Sequence, residues 1–143
     1  MIQALHIALQ EYGTREVPGT GSHNPEVVKY FQQGGFPTVR DDETSWCSAF
    51  MNWCVKKAGG NPTGSLSARS WLNWGRPVVE PELGDIVVFW RRDPKGWEGH
   101  VGFFIKRDGT HVWVLGGNQS NEVNIQKYPG TELLGYRRLE GDK

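Results

Sequence analysis

Apolar residues in the first half of the chain recur at the spacing of amphipathic helices. These positions predict a first helix over residues 2–12 and a later, longer one over residues 46–58. Between them, Asn24 followed by Pro25 is typical of a helix start, because the asparagine caps the helix and proline fits its first turn. A further short helix is predicted around residues 67–74.

The second half of the chain has a different pattern, in which short runs of β-branched and aromatic residues alternate with turn residues. Asp108-Gly109 favours a hairpin turn, and we expect Gly116-Gly117 to end the third strand. Helices followed by hairpin-connected strands predict an α+β fold, with N-terminal helices packed on an antiparallel β-sheet. The predicted strands are residues 86–90, 100–105 and 111–115, with weaker candidates at 123–125 and 133–138.

Size, charge and cysteine content narrow the class of protein. The 143 residues fit one catalytic domain over residues 1–143, and the formal net charge of zero argues against a dedicated nucleic-acid binder. No segment has the roughly 20 apolar residues that span a bilayer. Residues 1–6 lack the features of a secretory signal, so we expect a chain made in the cytoplasm without a signal peptide.

Cys47 is the first candidate for chemistry, because it lies at the predicted N-terminus of the helix over residues 46–58. The partial positive charge of a helix start favours the thiolate, which is the nucleophilic form of cysteine. The alternative is a small buried apolar residue, an interpretation that we prefer for Cys54. On one helix the two residues would lie about 10.5 Å apart, too far for a disulfide, so both are predicted to be free thiols.

His100 is the second candidate, since it begins a predicted strand directly after Gly99, where a packed helix start could meet it. The alternative is a strand histidine that only hydrogen-bonds a turn. A catalytic imidazole needs a third group to fix its tautomer. The third strand runs antiparallel to the second, so its end returns to the level of His100. Asn118 is predicted to accept a hydrogen bond there, with Gln119 and Ser120 as alternatives.

Four segments, in this order, resemble parts of the CHAP and NlpC-type cell-wall hydrolases, which are papain-like cysteine peptidases and amidases. They correspond to the family's nucleophile helix, first core strand, histidine strand and third polar residue. The resemblance implies a papain-like fold in which Cys47 is the nucleophile, His100 the general base and Asn118 the orienting residue. The segments are SWCSAFMNWC at 45–54, LGDIVVF at 83–89, GHVGF at 99–103 and GGNQS at 116–120.

The sequence departs from the family pattern at one position near the third polar residue. Many CHAP enzymes carry an acidic residue two positions before the asparagine, where this chain has Gly116. This position therefore supplies no carboxylate partner for the imidazole of His100.

The resemblance further implies bacterial peptidoglycan as the substrate. The bond would be either a peptide link of the stem or the amide that joins muramic acid to L-alanine. Aromatic faces pack well on sugars and peptides, so we place Trp46, Trp71 and Trp97, together with Gln119, in the substrate-binding groove. No cofactor is predicted. The acidic residues 41–43 lack the alternate spacing of a calcium loop, and we expect them to be solvated or to cap the following helix.

Several biological roles fit this chemistry. We favour a phage endolysin that acts at the cell wall after release. An exported antibacterial effector, with an inhibitor or immunity protein as partner, is the main alternative. A non-catalytic wall-binding module and a zinc hydrolase are further alternatives, although the chain has neither a C-x-x-C nor an H-E-x-x-H pattern.

Overall fold

Three helices form the first part of the fold in the computed structural model, which describes residues 2–16, 24–38 and 45–139. The predicted start of the second helix is confirmed, because the Asn24 side chain accepts a hydrogen bond from the Glu26 amide at 2.8 Å. None of the helices in these ranges combines the length and apolar character needed to cross a membrane. The helices are α1 (Ile2–Leu9), α2 (Pro25–Gln33) and α3 (Cys47–Lys57), with a 3₁₀ helix at Ala68–Asn73.

Six strands form one sheet in which all neighbours are antiparallel, in the order β1-β6-β2-β3-β4-β5. The predicted α+β class, with helices packed on an antiparallel sheet, is confirmed. The edge strand β1 was not predicted, since it is only three residues long and contains a proline. The strands are β1 (Arg76–Val78), β2 (Ile86–Trp90), β3 (Gly99–Asp108), β4 (His111–Gln119), β5 (Glu122–Pro129) and β6 (Leu133–Arg138).

Helix α3 lies at the centre of the molecule, between the sheet and the helices α1 and α2. All of its residues from Cys47 to Val55 are buried, so it has apolar contacts on every side. Tyr30 of α2 packs edge-on against Phe50 and Trp53, with ring centroids 4.8 and 5.1 Å apart. Each fully buried aromatic side chain stabilises the fold by about 1.5–3 kcal/mol. The packing therefore fixes the N-terminus of α3 against strands β3 and β4.

Strand β4 is longer than predicted, because Gly116-Gly117 continues the strand as far as Gln119. A Cβ atom on Gly117 would lie only 2.8 Å from Phe50 and Trp46, so this glycine allows α3 to approach the sheet closely. Gly117 is thus required by packing against a helix and not by a turn. A pair of glycines is found both where a strand ends and where a helix packs closely on a strand. The predicted end of the third strand at Gly116-Gly117 was therefore wrong.

The end of β4 carries an irregularity that changes which side chains point inward. Asn118 has a φ of 58°, and the pairing with β5 shifts register between Gly116 and Gln119. A two-residue turn then follows, in which Ser120 and Asn121 have φ values of 52° and 66°. Because the left-handed residue interrupts the alternation of the strand, the side chain of Gln119 turns into the protein.

Candidate active site

The thiol of Cys47 lies at the first residue of α3 and is almost completely buried. Three groups hydrogen-bond its sulfur: the backbone amides of Val101 and Ser48 and the side chain of Ser45. Val101 directly follows His100 on β3, so the helix start brings the thiol to the strand that carries the imidazole. The structure thus brings Cys47 to the chain segment of His100, as the sequence predicted. The other cysteine, Cys54, is a buried free thiol in the middle of α3.

The imidazole of His100 is also buried and is held from one side. Its Nε2 lies 2.9 Å from Oε1 of Gln119 and 3.2 Å from the hydroxyl oxygen of Tyr128. The Tyr128 ring stacks on the imidazole, with centroids 4.9 Å apart. The other nitrogen, Nδ1, is buried and has no hydrogen-bond partner within the described residues. His100 therefore has one nitrogen fixed by the protein and one free for chemistry.

The carboxamide of Gln119 can present only its oxygen to His100. Its Nε2 lies 3.1 Å from the carbonyl oxygen of Val114, and 2.9 and 3.0 Å from the backbone and side-chain oxygens of Asn124. Rotating the amide would place its oxygen against these three acceptors. Oε1 must therefore accept a proton from His100 Nε2, which assigns the tautomer with a bare Nδ1.

Gly116 makes this arrangement sterically possible. A Cβ atom on Gly116 would lie 2.6 Å from Oε1 of Gln119, so any side chain at this position would displace the carboxamide. The space beside His100 is thus filled from position 119. The glycine at position 116, where the sequence departs from the family pattern, therefore leaves the space that the carboxamide of Gln119 occupies.

The structure corrects the expected placement of Asn118. Its side chain is half-buried and lies on the Cys47 side of the site, with Nδ2 3.5 Å from Oγ of Ser45. The left-handed backbone at Asn118 turns its side chain away from His100 and brings in the next residue instead. Gln119, expected in the substrate groove, is 1% exposed and contacts His100, so it cannot line a groove.

Burial dominates the protonation of both reactive groups. It raises the pKa of the Cys47 thiol above its ordinary value of 9.0, although the amide of Val101 and the charge of Arg91 act in the opposite direction. Burial also lowers the pKa of His100 from 6.5 to about 4, while the hydrogen bond that His100 donates to Gln119 partly offsets this effect. The resting pair is therefore a neutral thiol and a neutral imidazole, in contrast to the thiolate expected from the helix start alone.

A cleft of about 220 Å³ opens above Cys47. One wall is formed by the segment before and at the start of the 3₁₀ helix, the other by the loop between β2 and β3. Of the tryptophans expected in the groove, only Trp97 lies there, and it is 80% exposed. The residues that line the cleft are Ser45, Cys47, Leu66, Ser67, Ala68, Arg91, Trp97, Glu98 and Gly99.

Trp46 and Trp71 do not line the cleft, because both are fully buried in the core. The Trp46 indole donates a hydrogen bond to Glu16 at 3.2 Å, and the Trp71 indole donates one to the Ser48 hydroxyl at 3.0 Å. Their place in the predicted substrate groove was therefore wrong. Both residues support α3 from within the core, where burial of their large rings and satisfied indole N–H groups stabilise the helix start.

The described residues contain no cluster of three or more histidine, cysteine or acidic side chains that could hold a metal ion. The acidic residues 41–43, which we expected to be solvated or to cap the following helix, lie outside the described residues.

Sequence reasoning missed Tyr128, Asn124 and Arg91. Tyr128 and Asn124 lie on β5, a strand that the sequence indicated only weakly, and their role depends on pairing with β4. Arg91 lies in a polar loop whose composition carries no functional signal. Only the pairing of the strands and the path of the loop bring these residues to Cys47 and His100.

Comparison with known proteins agrees with the sequence resemblance. Residues 39–118, more than half of the chain, match the family model of the CHAP domain. The fold is similar to a crystal structure described as similar to lipoprotein, NLP/P60 family, from Staphylococcus aureus subsp. aureus Mu50, with a TM-score of 0.60 and 18% identity. The similarity covers 98% of this chain but 41% of that chain, so this chain spans about two fifths of that protein's length. The curated proteins contain no match.

Proposed function

The chain belongs to the CHAP domain family of cysteine peptidases and amidases that act on peptidoglycan, and on this premise we propose that it hydrolyses an amide bond of cell-wall peptide. The observation that carries the proposal is the position of the Cys47 sulfur. It lies at a helix start, at the floor of a cleft, and accepts a hydrogen bond from the residue that follows His100. This arrangement supports the proposal, because the proposed nucleophile lies next to both the strand that carries the proposed base and an open cleft.

In this proposal, the reaction begins from the neutral pair. Nδ1 of His100 takes the thiol proton as the Cys47 sulfur attacks the carbonyl carbon and the C–S bond forms. The amides at the start of α3 have no acceptor within the helix, and the amide of Cys47 is positioned to donate to the developing oxyanion. His100 then protonates the leaving amine and the C–N bond breaks, which leaves a thioester on Cys47.

Hydrolysis of the thioester regenerates the enzyme. His100 Nδ1 removes a proton from water, the resulting hydroxide attacks the thioester carbonyl, and the C–S bond breaks. The imidazolium returns its proton to the Cys47 sulfur, and a carboxylic acid product leaves. Throughout this cycle Gln119 keeps Nε2 protonated, so Nδ1 alone exchanges protons with sulfur, amine and water.

The test compares wild type with Cys47→Ala on purified peptidoglycan, followed by loss of turbidity and by the mass of the released fragments. Cys54→Ala is the matched control, since it removes the other buried thiol of the same helix. We expect wild type and Cys54→Ala to solubilise the wall and Cys47→Ala to lose activity. The new termini in the fragments would distinguish amidase from endopeptidase.

Two outcomes would contradict the proposal. Equal activity of wild type and Cys47→Ala would remove Cys47 from the reaction and reopen the zinc alternative, which inhibition by a chelator would then support. Binding of wild type to the wall without any turnover would favour the non-catalytic module.

We further propose that the protein acts as a phage endolysin. An endolysin is expected to lyse host cells whose outer barrier has been opened, without any further protein. An exported effector would instead be neutralised by an inhibitor or immunity protein from the cell that makes it.

A further inference from the structure

The cleft above Cys47 contains a cation that the proposed reaction does not use. Arg91 is exposed, lines the cleft, and has no ion-pair partner in the described part of the chain. Burial is the largest cause of the pKa shifts of Cys47, His100 and Tyr128. The positive charge of Arg91 also lowers the pKa of each of these three groups, so the guanidinium acts on all of them. Arg91 is therefore close to the reactive centre and forms no ion pair with the acidic side chains of residues 2–16, 24–38 and 45–139.

The loop that carries Arg91 is held in place and does not hang freely over the site. Arg69, in the 3₁₀ helix, donates three hydrogen bonds to backbone carbonyl oxygens of this loop. They reach Glu98 at 2.8 Å, Pro94 at 3.0 Å and Asp93 at 2.7 Å. In addition, the amide of Arg91 donates to the carbonyl of Glu98 at 3.2 Å, which closes the loop at its base. Such a wall is preorganised for binding a ligand.

The acidic side chain of the cleft does not neutralise Arg91. Glu98 lines the same opening, but its carboxylate lies 3.7 Å from Nε of Arg92, the neighbouring arginine. Arg91 also disfavours the imidazolium that His100 must form when it takes a proton. A cation at this position opposes formation of the imidazolium, and an anion supplied by the substrate would remove that opposition.

We propose that Arg91 binds a free carboxylate of the substrate peptide close to the scissile amide, so that the cleft selects acidic wall peptides over amidated ones. A guanidinium matches a carboxylate with two parallel hydrogen bonds, which fixes the orientation of the peptide as well as its charge. Trp97 on the same loop offers an exposed aromatic face beside this site. The inference rests on the proposed function and names the substrate class of the same cleft.

The test uses one peptidoglycan preparation in two forms. One half is mock-treated, and the other half is treated with carbodiimide and ammonia, which converts free carboxylates to carboxamides and leaves the backbone amides intact. Release of soluble fragments is then measured for wild type, Arg91→Gln, Arg91→Lys and Lys95→Gln. Lys95→Gln is the matched control, because it removes one positive charge from the same loop but does not line the cleft.

We expect wild type and Lys95→Gln to prefer the untreated wall about five- to tenfold in kcat/KM, since one well-oriented ion pair is equivalent to a factor of this size. The preference should weaken as salt is raised. Arg91→Gln should lose the preference while it keeps activity on the amidated wall. Arg91→Lys should keep part of it, because lysine retains the charge but not the planar fork.

Each contrary outcome has a distinct meaning. Equal rates of wild type on both walls would overturn the carboxylate site and leave the proposed function standing. If Lys95→Gln also loses the preference for the untreated wall, the preference would come from the overall positive charge of the loop and not from a carboxylate site at Arg91. Loss of activity on both walls by Arg91→Gln alone would assign Arg91 to the reaction itself. An inactive wild type on both would overturn the proposed function, and the inference with it.

Discussion

Replacement of Gln119 by methionine tests the assignment of the orienting residue. The two side chains have similar volume, so Gln119→Met keeps the core filled but removes the oxygen that lies 2.9 Å from His100 Nε2. Without this acceptor, the proton of the imidazole is free to move to Nδ1. That tautomer cannot accept the thiol proton of Cys47, so the variant should lose activity although Cys47 and His100 are intact.

The size of the expected loss in Gln119→Met follows from the strength of the hydrogen bond between His100 and Gln119 when the imidazole is neutral and when it is protonated. A hydrogen bond to a neutral group contributes about 0.5–1.5 kcal/mol, and one to a charged group about 1.5–3 kcal/mol. The hydrogen bond that His100 donates to Gln119 strengthens when His100 becomes an imidazolium, and its loss removes that difference together with the control of the tautomer. We expect a loss of about 2–3 kcal/mol of transition-state stabilisation, or about 30–150-fold in kcat/KM.

The kinetic signature separates positioning from substrate binding. Gln119 is buried and does not line the cleft, so the loss should fall on kcat and leave KM nearly unchanged. The pKa of His100 should fall further in Gln119→Met, because burial lowers this pKa and the hydrogen bond that His100 donates to Gln119 raises it in the wild type. In Gln119→Glu, a carboxylate would instead raise that pKa by about 1–3 units and move the acidic limb of the pH profile upward.

Two control variants complete the experiment, with fragment release as the assay and thermal unfolding as a check of the fold. Gln126→Met removes a carboxamide from β5 that contacts only the Ser120 hydroxyl, at 2.8 Å, and it should be nearly neutral. Asn118→Ala should cost less than Gln119→Met. A larger loss in Asn118→Ala, or a loss in Gln119→Met that appears in KM alone, would refute the assignment.

Three further predictions concern the base and the cleft wall. Because the pKa of His100 is about 4 and the neutral imidazole is the base, activity should persist at pH 5.5 and fall only as the pH approaches 4; an acidic limb near 6.5 would contradict this. His100 takes up a proton near pH 6.5 in the unfolded chain but only near pH 4 in the folded chain. The free energy of unfolding, measured by denaturant titration, should therefore fall by about 3 kcal/mol between pH 6.5 and 4. The variant His100→Gln should lack this component of the pH dependence. Arg69→Met should raise KM about tenfold and speed hydrogen exchange of the loop between β2 and β3, because three hydrogen bonds to its backbone disappear; unchanged protection of that loop would refute its role.

The helices and strands could largely be predicted because their signals are local. The apolar spacing of α2, its Asn24 cap, and the continuous apolar run of β2 each specify an element without knowledge of the rest of the chain. Cys47 and His100 could be proposed as candidates for a similar reason, since each lies at or next to the start of such an element. The fold and the identity of the two main candidates were therefore accessible from the sequence.

The details of the site depend on packing between distant segments, and local patterns could not supply them. Gly116-Gly117 resembles a strand end, yet the strand continues because α3 needs close approach there. The left-handed backbone of Asn118 then decides that Gln119, one residue later, faces His100. A shift of one position exchanges the inward and outward side chains, which is the size of the error made from the sequence.

The protonation states of Cys47 and His100 could not be predicted from local sequence either, and they determine how the proposed reaction begins. A helix start alone predicts a thiolate, but the burial of Cys47 and His100 outweighs that dipole and leaves both groups neutral. On the proposed function, the thiolate and the imidazolium form only during attack, and the imidazolium must then form close to the positive charge of Arg91. A substrate carboxylate on Arg91 would lower the free energy of that step, so binding and proton transfer would be coupled. The preference for acidic peptides should accordingly appear in kcat as well as in KM, whereas a carboxylate bound far from His100 would change KM alone.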